Sequence, residues 1–154
     1  MGLLLCMVGC DQATKHLARS TFPEAGAVLL PGGMLELRLA ENPGAFLSLG
    51  HLLPAPIRFA VFVLVVGGGL IALTIYLTRH ARLGLTRFVG LALIVAGGVG
   101  NLLDRIWRDG LVTDFAIIHV GPIHTGIFNV ADVLIMIGVG LTVCTFRKRA
   151  GQNE

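Results

Sequence analysis

The stretch RFAVFVLVVGGGLIALTIYLTR, from Arg58 to Arg79, decides the fold class of this chain. It contains no charged residue between Phe59 and Leu77, and an arginine bounds it on each side. A helix needs about 20 mostly apolar residues to cross the hydrocarbon core of a bilayer. The stretch therefore predicts a transmembrane helix, and with it an integral membrane protein.

Three further apolar stretches lie around this one. Residues 88–103 are uncharged and hold the glycines at positions 97, 98 and 100, which would allow close packing of membrane helices. Residues 128–146 predict a helix with Asp132 in its first turn. Residues 1–10 are too short to cross a bilayer alone. Either the first helix continues with Asp11 and Lys15 facing the bundle, or the native start lies upstream of Met1, or both.

The composition supports one membrane domain over residues 1–154. Of the 154 residues, 55% are hydrophobic and 14% charged, which is too apolar for one ordinary soluble domain. The net charge of +3 comes from short basic clusters at the ends of apolar stretches, not from a basic face, so nucleic-acid binding is not expected. The three cysteines lack metal-ligand spacing, and we expect them to be buried as small apolar side chains.

Basic residues predict the orientation of the helices. Arg79, Arg82 and Arg87 lie between the second and third stretches, and residues 147–149 are all basic, so both clusters and both termini should be cytoplasmic. The segments between them would face outwards, where Met34–Asn42 and Leu111–Val120 read as strands. The predicted fold is thus an all-α, four-transmembrane-helix bundle with a small β platform on the outer, periplasmic side.

Acidic residues beside membrane helices need an explanation, because such charges are costly there. In the predicted topology Asp114, on the second strand, and Asp132, at the outer end of the fourth helix, meet at one depth. Asn129 precedes Asp132 by three residues, as in a helix cap that favours an ionised acid. Two close, partly desolvated carboxyls would share a proton, as aspartic proteolysis requires. The alternative without catalysis is that Asp132 is only a favourable charge at the start of a helix and that Asp114 is a solvated residue of a strand.

Other chemistries have less support in the sequence. His119 and His124 bracket a Gly-Pro turn and do not share a helix face, which argues against a zinc site. A serine–lysine hydrolase would have to use Lys15 with Ser20 or Ser48, the two serines of the chain. Arg105 reads equally as an interfacial anchor or as an ion-pair partner, and Asn101 as a polar contact between helices.

Five short blocks resemble, in order, those of signal peptidase II, the lipoprotein signal peptidase of bacteria. They are DQATK (Asp11–Lys15), NPGAF (Asn42–Phe46), GNLLDR (Gly100–Arg105), VTDF (Val112–Phe115) and FNVAD (Phe128–Asp132). The family usually has a second alanine in the NPGAF block and more apolar residues before the first block.

The resemblance implies a membrane aspartic endopeptidase that uses no metal or organic cofactor. It would cleave the signal peptide from diacylglyceryl-modified prolipoproteins, just before the lipidated cysteine, in the bacterial inner membrane. Its contacts would be these substrates and membrane lipids, with no nucleic acid and no obligate protein partner. By resemblance the catalytic pair is Asp114 and Asp132, the supporting residues are Asn42, Gly44, Asn101, Arg105 and Asn129, and the structural polar residues are Asp11, Lys15 and Asp104.

Two alternatives belong to other classes of protein. The first is a catalytically silent membrane protein that binds lipid or a partner and keeps its acids for packing. The second is a proton-coupled transporter, which the absence of an inverted repeat in the sequence disfavours.

Overall fold

The computed structural model describes residues 2–22, 26–44, 54–80 and 83–150 of the chain. The helices are α1 (Gly2–Thr21), α2 (Ala55–Ala60), α3 (Gly67–Arg79), α4 (Leu85–Trp107) and α5 (Val130–Ala150). A π-helical stretch, Val61–Val66, joins α2 to α3, so residues 55–79 form one continuous helix. The strands are β1 (Ala27–Leu29), β2 (Leu35–Asn42), β3 (Val112–Val120) and β4 (Ile123–His124).

Two helices of the described residues are long and apolar enough to cross a membrane. They are Ala55–Arg79, with a mean hydropathy of 2.5, and Leu85–Trp107, with a mean hydropathy of 1.6. A shorter apolar helical segment, Val130–Thr145, lies within α5. By length and composition, therefore, two of the four expected spans are found in the described part of the chain.

The first helix continues well past its apolar start. α1 runs to Thr21, and the side chains of Asp11 and Lys15 within it are fully buried. The structure agrees with the expectation that the helix extends through its polar residues and turns them towards the bundle.

Glycines set the close approach of α4 and α5. A Cβ atom on Gly97 would collide with the carbonyl oxygen of Ala131, and one on Gly138 would lie 2.5 Å from the carbonyl oxygen of Gly90. Small residues allow membrane helices to pack backbone to backbone. The glycine-rich packing surface predicted from the sequence is confirmed at Gly97.

The outward surfaces of the helices are apolar. Leu64 and Ile71, for example, are 71% and 64% exposed in the isolated chain. The three cysteines are also exposed, so the expectation that they are buried was wrong. In a membrane protein an apolar side chain can face lipid as well as the core, and an apolar neighbourhood in the sequence does not distinguish the two.

The strands form one antiparallel sheet in the order β1-β2-β3-β4. The two predicted strands are both present and each begins one residue later than expected. β1 and β4 were not predicted, because three and two residues are too short to show a periodic pattern. The register of β2 against β3 shifts between Leu37, opposite Ala116, and Ala40, opposite Asp114, which marks a β-bulge in β2.

Candidate active site

Backbone pairing brings Phe128, which lies just before α5, against β3. Phe115 and Ala116 both donate their N–H groups to the carbonyl oxygen of Phe128 at 3.0 Å, and Phe128 donates back to Ala116 at 2.9 Å. Since Asn129 follows Phe128 directly, this pairing brings Asn129 and the first turn of α5 beside Asp114. Two segments that are distant in sequence therefore meet at one point.

Asn129 caps α5 and fixes the position of Asp132. The Asp132 N–H donates to Asn129 Oδ1 at 2.9 Å, and the Asn129 N–H donates to Asp132 Oδ2 at 3.2 Å. This reciprocal pair is a capping box, which satisfies two backbone N–H groups that a helix start otherwise leaves free. The cap expected from the sequence is confirmed.

Two asparagine side chains connect the two acids. Asn129 Nδ2 donates to Asp114 Oδ1 at 2.6 Å, and it also lies 3.1 Å from Asn101 Oδ1. Asn101 Nδ2 in turn donates to Asp132 Oδ1 at 2.9 Å. The structure thus joins Asp114, Asp132, Asn101 and Asn129 in one hydrogen-bonded group.

Asp114 has an unusual environment for a carboxyl group. Its side chain is 1% exposed, whereas Asp132 is only half-buried. Burial raises the pKa of Asp114 to about 6, with a further increase from the charge of Asp132, while hydrogen bonds from Asn42 and Asn129 act in the opposite direction. A carboxyl with such a pKa can hold or release a proton close to neutral pH.

Arg105 reaches the same group of residues from α4. Its Nη2 atom donates to the carbonyl oxygen of Gly44 at 2.6 Å, and its Nη1 atom donates to that of Asn101 at 3.0 Å. The Gly44 N–H donates to Asn42 Oδ1 at 2.9 Å, and Asn42 Nδ2 donates to Asp114 Oδ2 at 2.9 Å. Arg105 therefore binds the backbone at Gly44, just after β2, which is neither the interfacial anchor nor the ion pair expected on general grounds.

A buried cluster of charges lies next to the acids. Lys15 Nζ is 3.0 Å from Asp11 Oδ2, 3.3 Å from Asp104 Oδ2 and 2.9 Å from Asn101 Oδ1. Asp11 also accepts the N–H of Ala131 at 2.9 Å, and Asp104 accepts the N–H of Thr113 at 2.9 Å. These contacts connect α1 and α4 to the residues immediately before both Asp114 and Asp132.

The alternative sites look weaker in the structure. The rings of His119 and His124 are tilted by 46° with their centroids 5.5 Å apart, and His119 contacts Glu36 at 2.9 Å, but the described residues contain no cluster of three possible metal ligands. Ser20 donates to the carbonyl oxygen of Leu17 at 3.0 Å, and Lys15 forms ion pairs with Asp11 and Asp104. Ser48 lies outside the described residues.

Sequence reasoning missed two residues that contact the polar residues described above, Phe62 through its ring and Thr113 through its backbone. The ring of Phe62 lies 4.7 Å from the Arg105 guanidinium carbon, and no pattern in its uniformly apolar stretch distinguishes it. Thr113 is fully buried and accepts a hydrogen bond from Arg19 Nη1 at 2.8 Å. Its position next to Asp114, in a predicted strand, was the available signal.

Comparisons with known sequences point to one family. The family model described as "Signal peptidase (SPase) II" matches residues 3–147. The lipoprotein signal peptidase of Syntrophus aciditrophicus is 37% identical over 142 residues, covering 90% of this chain and 83% of the relative. That of Desulforapulum autotrophicum is 38% identical over 138 residues, covering 86% and 82%. That of Streptococcus pneumoniae is 34% identical over 137 residues, covering 89% and 84%.

Two solved structures, both described as bacterial membrane enzymes, share the fold. One, determined by the in meso method at 2.3 Å resolution, has a TM-score of 0.86 and 26% identity, covering 98% of this chain and 88% of its own. The other has a TM-score of 0.80 and 28% identity, covering 93% and 88%. The alternative of a catalytically silent membrane protein is not favoured. This chain belongs to the signal peptidase II family, membrane aspartic peptidases that cleave the signal peptides of lipoproteins.

Proposed function

We propose that Asp114 and Asp132 are the catalytic pair with which this enzyme cleaves lipoprotein precursors. The observation that carries the proposal is the hydrogen bonding of Asn129, which contacts Asp114 through its side chain and Asp132 through its backbone N–H. One residue thereby holds two carboxyls from different elements in a fixed relation, as an aspartic dyad requires.

The two acids differ in burial, and this difference supports a division of roles. Asp132, half-buried in the positive first turn of α5, acts as the general base and takes a proton from the attacking water. Asp114, buried and with a raised pKa, acts as the general acid and donates to the oxygen of the scissile carbonyl. The reaction needs only water and these side chains, so we expect chelators to leave turnover unchanged.

The remaining polar residues act through these two. Asn101 and Asn129 orient the carboxyls, while Arg105 holds the loop in which Gly44 fixes the amide of Asn42. Asp11, Lys15 and Asp104 form the buried cluster that keeps α1 and α4 against this site. We assign these three a structural role.

We further propose that all four long helices span the bacterial inner membrane as one domain, with both termini in the cytoplasm. The basic cluster of Arg79, Arg82 and Arg87 supports this orientation. The sheet and the two acids then lie near the outer face. Such a site is accessible to a precursor that is itself anchored in the bilayer, and the enzyme cuts it just before its diacylglyceryl-modified cysteine.

Turnover of a synthetic precursor tests the proposed function. Detergent-purified enzyme should cleave a peptide carrying a diacylglyceryl cysteine and should cleave the same peptide without the lipid far more slowly, because the lipid supplies local concentration and orientation. Mass spectrometry of the products locates the cut. Equal rates for both peptides, or a cut elsewhere, would contradict the proposed substrate.

Site-directed labelling tests the orientation. The native cysteines are first replaced by alanine, and Leu83→Cys is then introduced into the basic connection between α3 and α4. In intact cells this thiol should react only with a membrane-permeant reagent. Reaction with an impermeant reagent would show that the connection faces outwards and would contradict the orientation.

A further inference from the structure

The π-helical stretch Val61–Val66 changes which residues of the helix face α4. Phe62 lies over Arg105, and a Cβ atom on Gly67, five residues later, would lie 3.5 Å from Leu102. In a regular α-helix the residue four positions on shares a face, but here that residue, Val66, is 40% exposed. The wider turn of the π-helix thus lets both Phe62 and Gly67 face α4. Such π-helical turns occur frequently at functional sites.

Arg105 is held on three sides in this arrangement. Its two terminal nitrogens donate to the carbonyl oxygens of Gly44 and Asn101, and the ring of Phe62 covers the guanidinium at 4.7 Å. The arginine side chain is only 8% exposed. An aromatic face within about 6 Å attracts a cation, and more strongly where water is excluded. The ring therefore fixes the guanidinium plane from which the hydrogen bonds to the backbone are made.

The effect reaches Asp114 through the orientation of one amide. Arg105 holds the Gly44 carbonyl, and the Gly44 N–H donates to Asn42 Oδ1. Because a backbone N–H can only donate, it fixes the Asn42 oxygen on its own side and leaves the Asn42 NH₂ group for Asp114 Oδ2. A guanidinium that tilts away from Gly44 loosens this entire arrangement.

We propose that Phe62 is a positioning residue of the active site. It acts through Arg105 and Gly44 to keep the amide of Asn42 hydrogen-bonded to Asp114. This inference rests on the proposed role of Asp114 in catalysis.

A set of substitutions at one position tests it. Phe62→Leu removes the aromatic face, while Phe62→Trp and Phe62→Tyr retain it; Phe59→Leu is a matched control on the same helix. With the lipidated peptide, we expect Phe62→Leu to lower kcat/KM roughly tenfold, the change expected from losing a desolvated cation–π contact. The alkaline limb of its rate profile should move to higher pH, because Asp114 loses a hydrogen bond that favours its ionised form. The Trp and Tyr variants should restore both properties, and Phe59→Leu should stay within about twofold.

Several results would overturn the inference. They are an unchanged rate in Phe62→Leu, a lower rate with an unmoved alkaline limb, or Trp and Tyr variants no better than Leu at equal thermal stability. If Phe62→Leu does not fold, Phe62→Met supplies similar volume without a ring and is measured in its place. Asp114→Asn is assayed in parallel: full activity of that variant contradicts the proposed function, whereas an inactive Asp114→Asn beside a normal Phe62→Leu contradicts only the role of Phe62.

Discussion

Asn129 and Asp132 hold each other at the start of α5 by two reciprocal hydrogen bonds, one from each backbone N–H to the other's side-chain oxygen, at 2.9 and 3.2 Å. The half-buried acid is thereby fixed by the helix cap itself. The free NH₂ group of Asn129 then reaches the second acid, Asp114, at 2.6 Å. The geometry of the pair is consequently set by secondary structure, and it should survive a change of charge on either acid.

Asp114→Asn and Asp132→Asn should each abolish cleavage and leave a folded protein. An amide keeps the shape of the carboxyl and one of its two acceptor oxygens, but it cannot exchange a proton with water or substrate. In the proposed mechanism the two acids act as one unit, so the double variant should be hardly slower than either single variant. Turnover of the lipidated peptide is measured beside the yield and thermal unfolding of each variant. Near-normal turnover of either single variant would contradict the assignment.

The plot of rate against pH should be bell-shaped. The position of its alkaline limb, where the rate falls as the pH rises, should depend on Asn42. Hydrogen bonds from Asn42 favour the ionised form of Asp114, so Asn42→Ala should raise the pKa of Asp114 above about 6 and keep it protonated to higher pH. The alkaline limb should move up by about one pH unit, since a hydrogen bond to a charged group contributes about 1.5 kcal/mol and one unit is about 1.4 kcal/mol.

Glu41→Gln provides the control for this measurement. Glu41 neighbours Asn42 in β2, where successive side chains point to opposite faces, and it forms an ion pair with Arg108. Its substitution should leave the limb in place. If the alkaline limb of Asn42→Ala moved to lower pH, the predicted direction of the pKa change would be wrong.

Stability should depend on pH through Asp114. Its folded-state pKa, about 6, exceeds the usual 3.8, so the folded protein binds this proton more tightly than the unfolded chain does. The contribution of Asp114 to the free energy of unfolding is therefore largest below pH 3.8. It falls as the pH rises from 3.8 to about 6, and above that pH the buried carboxylate costs up to about 3 kcal/mol of stability. Between about pH 4.5 and about pH 8, the melting temperature of the wild type should fall more than that of Asp114→Asn. Parallel curves for the two proteins would contradict this.

Gly97→Ala should destabilise the bundle by about 2 kcal/mol, as overpacking does in a close helix contact. The added methyl group would collide with the Ala131 carbonyl oxygen and lie 2.8 Å from Ile135. Gly140→Ala is the matched control, because nothing lies within 4 Å of its Cβ position. That change should be neutral or stabilising, since alanine is more favourable than glycine inside a helix by about 1 kcal/mol. Equal unfolding temperatures for the two variants would argue against the close packing.

The sequence predicted the helices, two strands and the two acids because each leaves a local signal. Charge-free stretches, alternating residues and an asparagine three positions before Asp132 are all readable along the chain. The contact between Arg105 and Phe62 could not be read in this way, because it depends on how two packed helices are rotated relative to each other and on a π-helical turn inside an apolar stretch. Hydrophobicity alone does not determine that rotation.

The bulge in β2 has a chemical consequence of its own. Continuous pairing in the register of Leu37 and Ala116 would set Leu39 opposite Asp114 and bring Glu41 to the place of Asn42. A slip of one residue would thus replace an amide donor with a third carboxylate and set negative charge against negative charge. In the proposed mechanism, the number of residues between Leu37 and Ala40 is therefore as much a condition for proton transfer as the acids themselves. Insertions and deletions in this short segment should reduce turnover far more than they disturb the sheet.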